Sequence, residues 1–214
     1  HSILSEESGK IDNSSAYEWI IDPLDGTTNF VHNLPIFAVS VGLQKNNKTI
    51  CGVVYNPAAD KCFYAEENTK AFLNDIPISV TNSTELNSCL LATGFPYLHD
   101  KRYDLSFNIF KNFYDKTRGI RRLGSAALDL CFVAMGRFDG FYEYELHPWD
   151  ICAGSFIVEQ AGGKVTDWDN STLELSGKRI LASNNKIHDM LTCQLPAGSV
   201  TATYVHDIVY NRLR

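Results

Sequence analysis

The sequence has no long hydrophobic run, no paired cysteines and no excess of basic residues. No stretch of roughly eighteen apolar residues occurs, so we expect no membrane-spanning helix and no membrane partner. The six cysteines form no C-x-x-C pair and the six histidines show no zinc-binding spacing, which favours a reduced protein of the cytoplasm. Because the sequence begins at His1 rather than at Met, the lack of a targeting segment excludes nothing.

Acidic residues outnumber basic residues by 25 to 19, which gives a net charge of −6. A nucleic-acid-binding protein normally carries a basic face, so we expect no nucleic-acid partner. The excess of carboxylates suits a protein that gathers them around cations, although a modest negative charge also simply keeps a protein soluble. The composition is otherwise that of an ordinary globular protein, with 44% hydrophobic and 21% charged residues.

Two secondary-structure patterns divide the chain. The first half predicts strands at residues 37–43, 50–55 and 61–65, and a turn at 72–77 with Asn74-Asp75 at its tip, in a mainly antiparallel arrangement. The second half predicts helices at 103–113, 125–135 and 150–161 and strands at 139–144, 164–166 and 179–182. This alternation predicts an α/β fold in layers, with helices covering the faces of sheets.

The most informative segment, residues 19–30, reads W-I-I-D-P-L-D-G-T-T-N-F. A short strand over residues 18–21 leads to Asp22, and Pro23 predicts that strand pairing stops there. Because residues three apart on a regular strand point to opposite faces, this break is what lets Asp22 and Asp25 turn toward one point.

The residues that follow suit a bound anion. Gly26 permits a tight turn, and Thr27-Thr28 predicts a helix start whose amides favour a phosphate. Two carboxylates beside such a helix start are what a metal-bridged phosphate needs. The alternative is that Asp-Pro and Asp-Gly merely form turns. The spacing of Asp22 and Asp25 matches neither a calcium-binding helix–loop–helix nor an aspartyl-phosphate phosphatase.

Two further acidic segments flank this one. Glu6 and Glu7 lie in S-E-E-S just before the strand that leads to Asp22, a pattern that alone is more typical of a solvated turn. Asp150 lies in H-P-W-D-I-C-A-G at the start of an apolar helix, where alone it would be an N-cap.

Taken in this order, the three segments resemble the inositol monophosphatase family. The matching parts are the pair Glu6-Glu7, residues 22–30, residues 149–154 and the helix end E-Q-A-G-G at 159–163. The resemblance runs from about Ile3 to about Leu191, most of the chain. It implies an αβαβα sandwich of the inositol monophosphatase or sugar phosphatase type, and a phosphoric monoester hydrolase.

The resemblance also implies Mg²⁺ as the cofactor, with two or three ions per site. Glu6, Asp22 and the Leu24 carbonyl would hold one ion, and Asp22, Asp25 and Asp150 a second. Glu6, Asp22 and Thr27 would be catalytic, with Thr27 helping to orient the attacking water. The implied substrate-binding residues are Asp25, Gly26, Thr27, Arg121, Gly124, Ser125, Ala126, Glu143 and Asp150. A surface arginine at 121 and a helix N-cap at Ser125 remain open alternatives.

The resemblance implies hydrolysis of inositol monophosphate or a similar sugar or polyol phosphate by a metal-activated water. Fructose-1,6-bisphosphatase and 3′-phosphoadenosine phosphatase activities are alternatives, as is a catalytically silent relative that acts through protein–protein contacts. Inhibition by lithium and a homodimer are further expectations. We expect a metal-binding, mainly antiparallel half at residues 1–115, an α/β half at 116–192 with the second metal motif, and a segment of unknown character at 193–214. The family's N-terminal helices, which pack on the sheet, have no counterpart in this sequence.

Overall fold

The computed structural model describes residues 1–96, 101–177 and 179–196, so most of the predicted segment 193–214 lies outside the described residues. Its first sheet contains β1 Ser2–Ser5, β2 Gly9–Ile11, β3 Tyr17–Asp25, β4 Ala38–Lys45, β5 Lys48–Asn56, β6 Lys61–Glu66, β7 Phe72–Leu73 and β8 Ile76–Pro77. Its second sheet contains β9 Leu90–Thr93, β10 Gly119–Arg121, β11 Gly140–Tyr144, β12 Lys164–Thr166 and β13 Arg179–Ser183. The helices are α1 Thr27–Val31, α2 Lys101–Tyr114, α3 Ala126–Ala134, α4 Pro148–Gln160 and α5 His188–Thr192.

Strand order differs between the two sheets. The first runs β2-β1-β3-β4-β5-β6-β7-β8 and is antiparallel except for the parallel pair β1 and β3. The second runs β10-β9-β11-β13-β12, with β10, β9 and β11 parallel to one another and β13 antiparallel to both of its neighbours. The strands of the first sheet, within residues 2–77, are therefore antiparallel apart from the pairing of β1 with β3.

Successive residues of the second sheet belong to two different hydrophobic cores. In β11, Phe141 packs in the core that contains α3 and α4, whereas Tyr142 packs on the opposite face against Phe113 of α2. Ile180 and Leu181 of β13 alternate in the same way. Because side chains alternate across a strand, α3 and α4 must lie between the two sheets, while α2 and α5 cover the far face. The layered α/β fold is confirmed, with β, α, β and α layers among the described residues.

Small residues let α4 approach the first sheet closely. Gly42 of β4 faces Cys152, and a Cβ added there would lie 2.5 Å from the Cys152 Sγ. Gly52 of β5 faces the helix backbone, and a Cβ there would lie 2.9 Å from the Ala153 carbonyl oxygen. This contact holds α4 against the sheet and fixes the N-terminal end of the helix in relation to β3.

Strand β3 does not end at Asp22. It pairs with β4 from Tyr17 to Asp22 and again where Asp25 faces Ala38, with a shift of register between the two. Pairing stops at Pro23 as predicted, since neither Pro23 nor Leu24 has a partner in β4, but it resumes at Asp25, so the strand does not end there. The predicted consequence survives, since the bulge places Asp22 and Asp25 on the same buried side.

Other boundaries differ in instructive ways. Helix α4 begins at Pro148, so Asp150 is its third residue rather than its N-cap. The predicted turn at 72–77 is a hairpin in which Asn74 and Asp75 both have positive φ. The sequence patterns divide the chain at residue 115, whereas the change from one sheet to the other comes between β8 and β9. No helix within the described residues is long and apolar enough to cross a membrane.

The close contact between α4 and the sheet gives a stability prediction. Gly52→Ala should lower the free energy of unfolding by about 1–3 kcal/mol, because the new methyl meets helix backbone that cannot be trimmed. Gly42→Ala should be largely rescued by Cys152→Ala, whereas Gly52→Ala should not. Urea unfolding of the single and double variants measures this. Rescue of Gly52→Ala by Cys152→Ala would contradict the packing.

Candidate active site

One cavity of about 430 Å³ gathers the predicted site residues. It lies where the ends of β1, β3 and β11 meet the N-terminal ends of α1, α3 and α4. The predicted residues that line it are Glu6, Asp22, Leu24, Asp25, Gly26, Thr27, Gly124, Ser125, Ala126, Glu143 and Asp150. Elements from both sheets therefore bring together residues that are up to 144 positions apart in the chain.

Arg121 is the predicted site residue that the cavity does not include. It is exposed at the end of β10, and its Nη1 donates a hydrogen bond to the carbonyl of Ile120 at 3.1 Å. Its neighbour Arg122 lines the cavity instead. Adjacent residues on an extended chain point in opposite directions, so a pattern of two consecutive arginines does not reveal which one faces inward.

Asp25 joins the first sheet to α3. Its Oδ2 accepts a hydrogen bond from the Ser125 hydroxyl at 2.6 Å and another from the Ala127 amide at 2.9 Å. Ser125 is also the N-cap of α3, because its Oγ accepts from the amide of Leu128 at 3.4 Å. Ser125 therefore serves both as the N-cap of α3 and as a hydrogen-bond donor to Asp25, so the N-cap role and the site role that were predicted for it are compatible.

Gly26 and Asn29 hold the segment at residues 22–30 against the loop before α3. Gly26 has φ 85°, and a Cβ there would lie 2.8 Å from the Ile36 carbonyl oxygen, so no other residue fits. The buried Asn29 donates from its Nδ2 to the carbonyls of Ile36 and Leu123, each at 2.8 Å. The contact between these two loops thus explains why glycine occurs at position 26 and asparagine at position 29.

Glu6 reaches Asp22 because β1 runs parallel to β3. The amide of Glu6 donates to the carbonyl of Ile21 at 3.2 Å, which continues the ladder just beyond β1. Asp22 is 2% exposed and its Oδ1 accepts from the amide of Leu24 at 2.8 Å. Glu7, the other member of the acidic pair, is not among the cavity residues.

Asp150 belongs to a capping box at the start of α4. Its Oδ2 accepts from the amide of His147 at 2.7 Å, and His147 is the N-cap residue. The first turn is also tied to the sheet, since the Ser40 hydroxyl donates to the carbonyl of Trp149 at 3.2 Å. Asp150 is therefore held at the cavity wall from both sides.

Burial and like charge raise the pKa values of the cavity carboxyls. Burial is the main cause for Asp22, whose pKa rises to about 8 with further contributions from Asp25 and Glu6. The pKa of Asp25 rises to about 7, through burial and the charge of Asp150, although the Ser125 and Ala127 hydrogen bonds oppose the rise. The pKa of Asp150 rises to about 6 through burial and the charge of Glu6. Each of these shifts measures how poorly the site tolerates its own negative charge without a cation.

The Thr27 hydroxyl is oriented by a hydrogen bond to the backbone three residues before it. It donates to the Leu24 carbonyl at 3.1 Å, so the hydroxyl proton is committed to that bond. The Oγ1 lone pairs are then available to accept a hydrogen bond from a water in the cavity.

A second group of polar residues lies at the β11 side of the cavity. Glu143 is half-buried, and a Cβ added to Gly94 would overlap its carboxylate. Burial, together with the charges of Asp150 and Asp25, raises the pKa of Glu143 to about 8, and Arg122 opposes the rise. Asp129 of α3 is 1% exposed, and its Oδ1 has no hydrogen-bond partner within the described chain. The sequence motifs did not single out Arg122, Asp129 or Gly94, since none is needed for a metal or a turn.

The oxygen atoms that line the cavity are of the kind that bind hard cations such as Mg²⁺. Carboxylates and a carbonyl oxygen are the ligands that Mg²⁺ prefers. Among the described residues that line the cavity there is no cysteine thiol, and the one imidazole is that of His147 at the rim. In the described residues no three His, Cys, Asp or Glu side chains are grouped closely enough to enclose one ion as they stand. Asp25 is hydrogen-bonded at the start of α3 and Asp150 at the start of α4.

A larger cavity, of about 750 Å³, lies elsewhere along α4. It is lined by residues of the first sheet and of α4, among them Glu18, Gln44 and Glu159, and by none of the predicted site residues. Its acidic groups are spread along an open surface. The chemistry argues for the smaller cavity as the active site.

Comparison with known proteins identifies the family. The family model described as the inositol monophosphatase family matches residues 1–199. The putative Nus factor SuhB of Neisseria meningitidis serogroup B is 48% identical over 188 residues, which are 87% of this chain and 72% of that protein. The solved inositol monophosphatase of Anabaena (Nostoc) sp. PCC 7120 is 46% identical with a TM-score of 0.85, covering 92% of this chain and 79% of that one.

A solved structure with bound inositol monophosphate is also similar. The structure titled inositol monophosphate bound SaIMPase-II has a TM-score of 0.81 and 29% identity, covering 99% of this chain and 80% of that one. With a family model over most of the chain, relatives well above 30% identity and a shared fold, the chain belongs to the inositol monophosphatase family and is a phosphomonoesterase.

Proposed function

We propose that this chain hydrolyses a small polyol or sugar phosphate monoester in a reaction that depends on Mg²⁺. The observation that carries the proposal is a set of carboxylates in one cavity beside Glu6: Asp22 and Asp25 are buried, Asp150 is half-buried, and the pKa of each is raised. A divalent cation is the ligand that relieves this arrangement. Glu6, Asp22 and the Leu24 carbonyl would hold one ion, and Asp22, Asp25 and Asp150 another, two or three in all.

When bound, Mg²⁺ would supply positive charge that activates water and neutralises the leaving oxygen. The chain's own residues do the positioning. Thr27 accepts a hydrogen bond from the attacking water, and Glu6 holds that water on its other side. The amides of Gly26 and Thr27, at the start of α1, donate to the phosphate oxygens.

The alcohol part of the substrate would lie at the β11 side of the cavity. Glu143 there can accept hydrogen bonds from hydroxyl groups when it is ionised, and Ser125 and Ala126 form the opposite wall. This favours a polyol such as inositol, as in the substrate named for SaIMPase-II, with fructose 1,6-bisphosphate and 3′-phosphoadenosine compounds as alternatives. A homodimer, a cytoplasmic location and inhibition by lithium are proposed from the family resemblance alone.

Asp150→Asn tests the metal site. The amide oxygen of Asn can still accept from the His147 amide, so the variant should fold and keep its cap. It should turn over at least about a hundredfold more slowly even at high Mg²⁺, because a full negative charge at the metal is lost. Parallel Mg²⁺ titrations of phosphate release and melting temperature measure both effects. If Asp150→Asn keeps the turnover and Mg²⁺ response of the wild type, the carboxylate is only a cap and the proposed cluster is wrong.

The raised pKa values also predict how stability depends on pH. In the unfolded chain these carboxyls ionise near pH 4, but in the fold Asp150, Asp25 and Asp22 ionise near pH 6, 7 and 8. The folded state therefore binds more protons between about pH 4 and pH 8, so its free energy of unfolding in EDTA should fall as the pH rises through this window.

Mg²⁺ should reverse this trend and raise the melting temperature more at pH 8 than at pH 5. Thermal unfolding in EDTA and in Mg²⁺ across this range is the measurement, and Asp22→Asn, which should show a flatter profile, is the control. A stability in EDTA that increases from pH 5 to pH 8 in wild type relative to Asp22→Asn would refute the electrostatic account.

A further inference from the structure

Arg122 is the one arginine or lysine among the described residues that line the active-site cavity. The other charged residues there are the carboxylates Glu6, Asp22, Asp25, Glu143, Glu145 and Asp150, with His147 at the rim. An isolated guanidinium in an acidic cavity requires an explanation, because the carboxylates at the other end are balanced by the proposed metal ions and not by Arg122.

The Arg122 guanidinium lies close to the backbone at the start of α3. A Cβ added to Gly124, which has φ 86°, would overlap the Arg122 Nη1, so the side chain lies directly over the backbone at the start of α3. Asn29 fixes the same backbone by its hydrogen bond to the carbonyl of Leu123. Arg122 is exposed, and its guanidinium lies against the backbone of Gly124 at the cavity wall.

No ion pair or side-chain hydrogen bond of Arg122 occurs within the described residues, so its guanidinium donors are available. The group still interacts electrostatically with Glu143 and with the buried Asp129, since it opposes the rise in the pKa of both. The β11 side of the cavity thus pairs an acceptor for hydroxyl groups, Glu143, with an unused planar donor that suits a carboxylate or phosphate.

We infer that Arg122 binds a second anionic group on the substrate, carried by the alcohol part away from the reacting phosphate. This inference rests on the proposed function and names its substrate class: a polyol monophosphate that also bears a carboxylate or a second phosphate. Arg121, although adjacent, takes no part, because it is directed to the surface and bonded to its own strand.

Two six-carbon probes test this directly, 6-phosphogluconate and glucitol 6-phosphate, which differ only in a terminal carboxylate against a terminal hydroxymethyl group. Wild type should favour 6-phosphogluconate in kcat/KM by roughly tenfold or more, the usual effect of a hydrogen bond to a charged group. Arg122→Ala should bring the ratio of the two values close to one. Arg122→Lys, which keeps the charge and loses the planar fork, should give an intermediate ratio.

Arg121→Ala is the matched control, since it removes the same charge one residue away and should keep the wild-type ratio. A ratio that is unchanged in Arg122→Ala, or lost equally in Arg121→Ala, would overturn the inference. An equal loss on both probes in Arg122→Ala would also overturn it, because Arg122 would then only balance Glu143.

Binding separates this inference from the proposed reaction. Titration calorimetry of both probes with Ca²⁺ in place of Mg²⁺ gives the ratio of Kd values without requiring hydrolysis. If neither probe nor p-nitrophenyl phosphate is hydrolysed with Mg²⁺, the proposed function fails. The inference would still hold if Arg122→Ala removed a roughly tenfold preference in Kd for 6-phosphogluconate that Arg121→Ala kept, and would fail if wild type showed no such preference.

Discussion

Mutual repulsion between buried carboxylates is the constraint on which the rest of this site depends. Asp22 and Asp25 are among the buried charged residues of the fold, and the charge of Asp25 raises the pKa of Asp22 and of Glu143 in the same cavity. Removing such groups from water costs free energy, and no lysine or arginine of the described residues lowers the pKa of Asp22 or Asp25. A chain that keeps this arrangement must either bind protons or bind cations, and at neutral pH divalent cations are the stronger partner.

The fold opposes the repulsion by holding each carboxylate from a different element. Asp22 is held by an amide of its own bulge, Asp25 by the start of α3 and Asp150 by the start of α4. The glycines that bring α4 close to the first sheet are therefore part of the same design, because a helix displaced outward would carry Asp150 away from Asp22. The packing of α4 on the first sheet therefore also sets the geometry of the site.

The sequence allowed the acids and the layers to be predicted, but not the contacts that place them. Asp22, Asp25 and Asp150 stood out because Pro, Gly and apolar periodicity surround them. The parallel pairing that brings Glu6 to Asp22 could not be predicted, since β1 is four residues long and carries no pattern of its own. The same holds for the five-residue α5 and for β10, which pairs with β9 alone over three residues.

Side-chain direction was the other limit. Arg121 and Arg122 are the same residue type at consecutive positions. Which of them lines the cavity depends on the path of the chain after β10 and on the packing of Gly124. Likewise Asp150 shifts from N-cap to third helical residue because Pro148 is accommodated in the first turn, where its missing N–H costs nothing. Propensity does not fix such offsets of one or two residues, and tertiary contacts do.

Proton release on Mg²⁺ binding tests the central claim most directly. Because Asp22 and Asp25 have pKa values near or above neutral pH in the metal-free fold, Mg²⁺ must displace protons from them at pH 7. Calorimetric titration in two buffers of different ionisation enthalpy should show release of on the order of one proton or more per chain at pH 7 and almost none at pH 9. Mg²⁺ binding without any proton release at pH 7 would contradict the account.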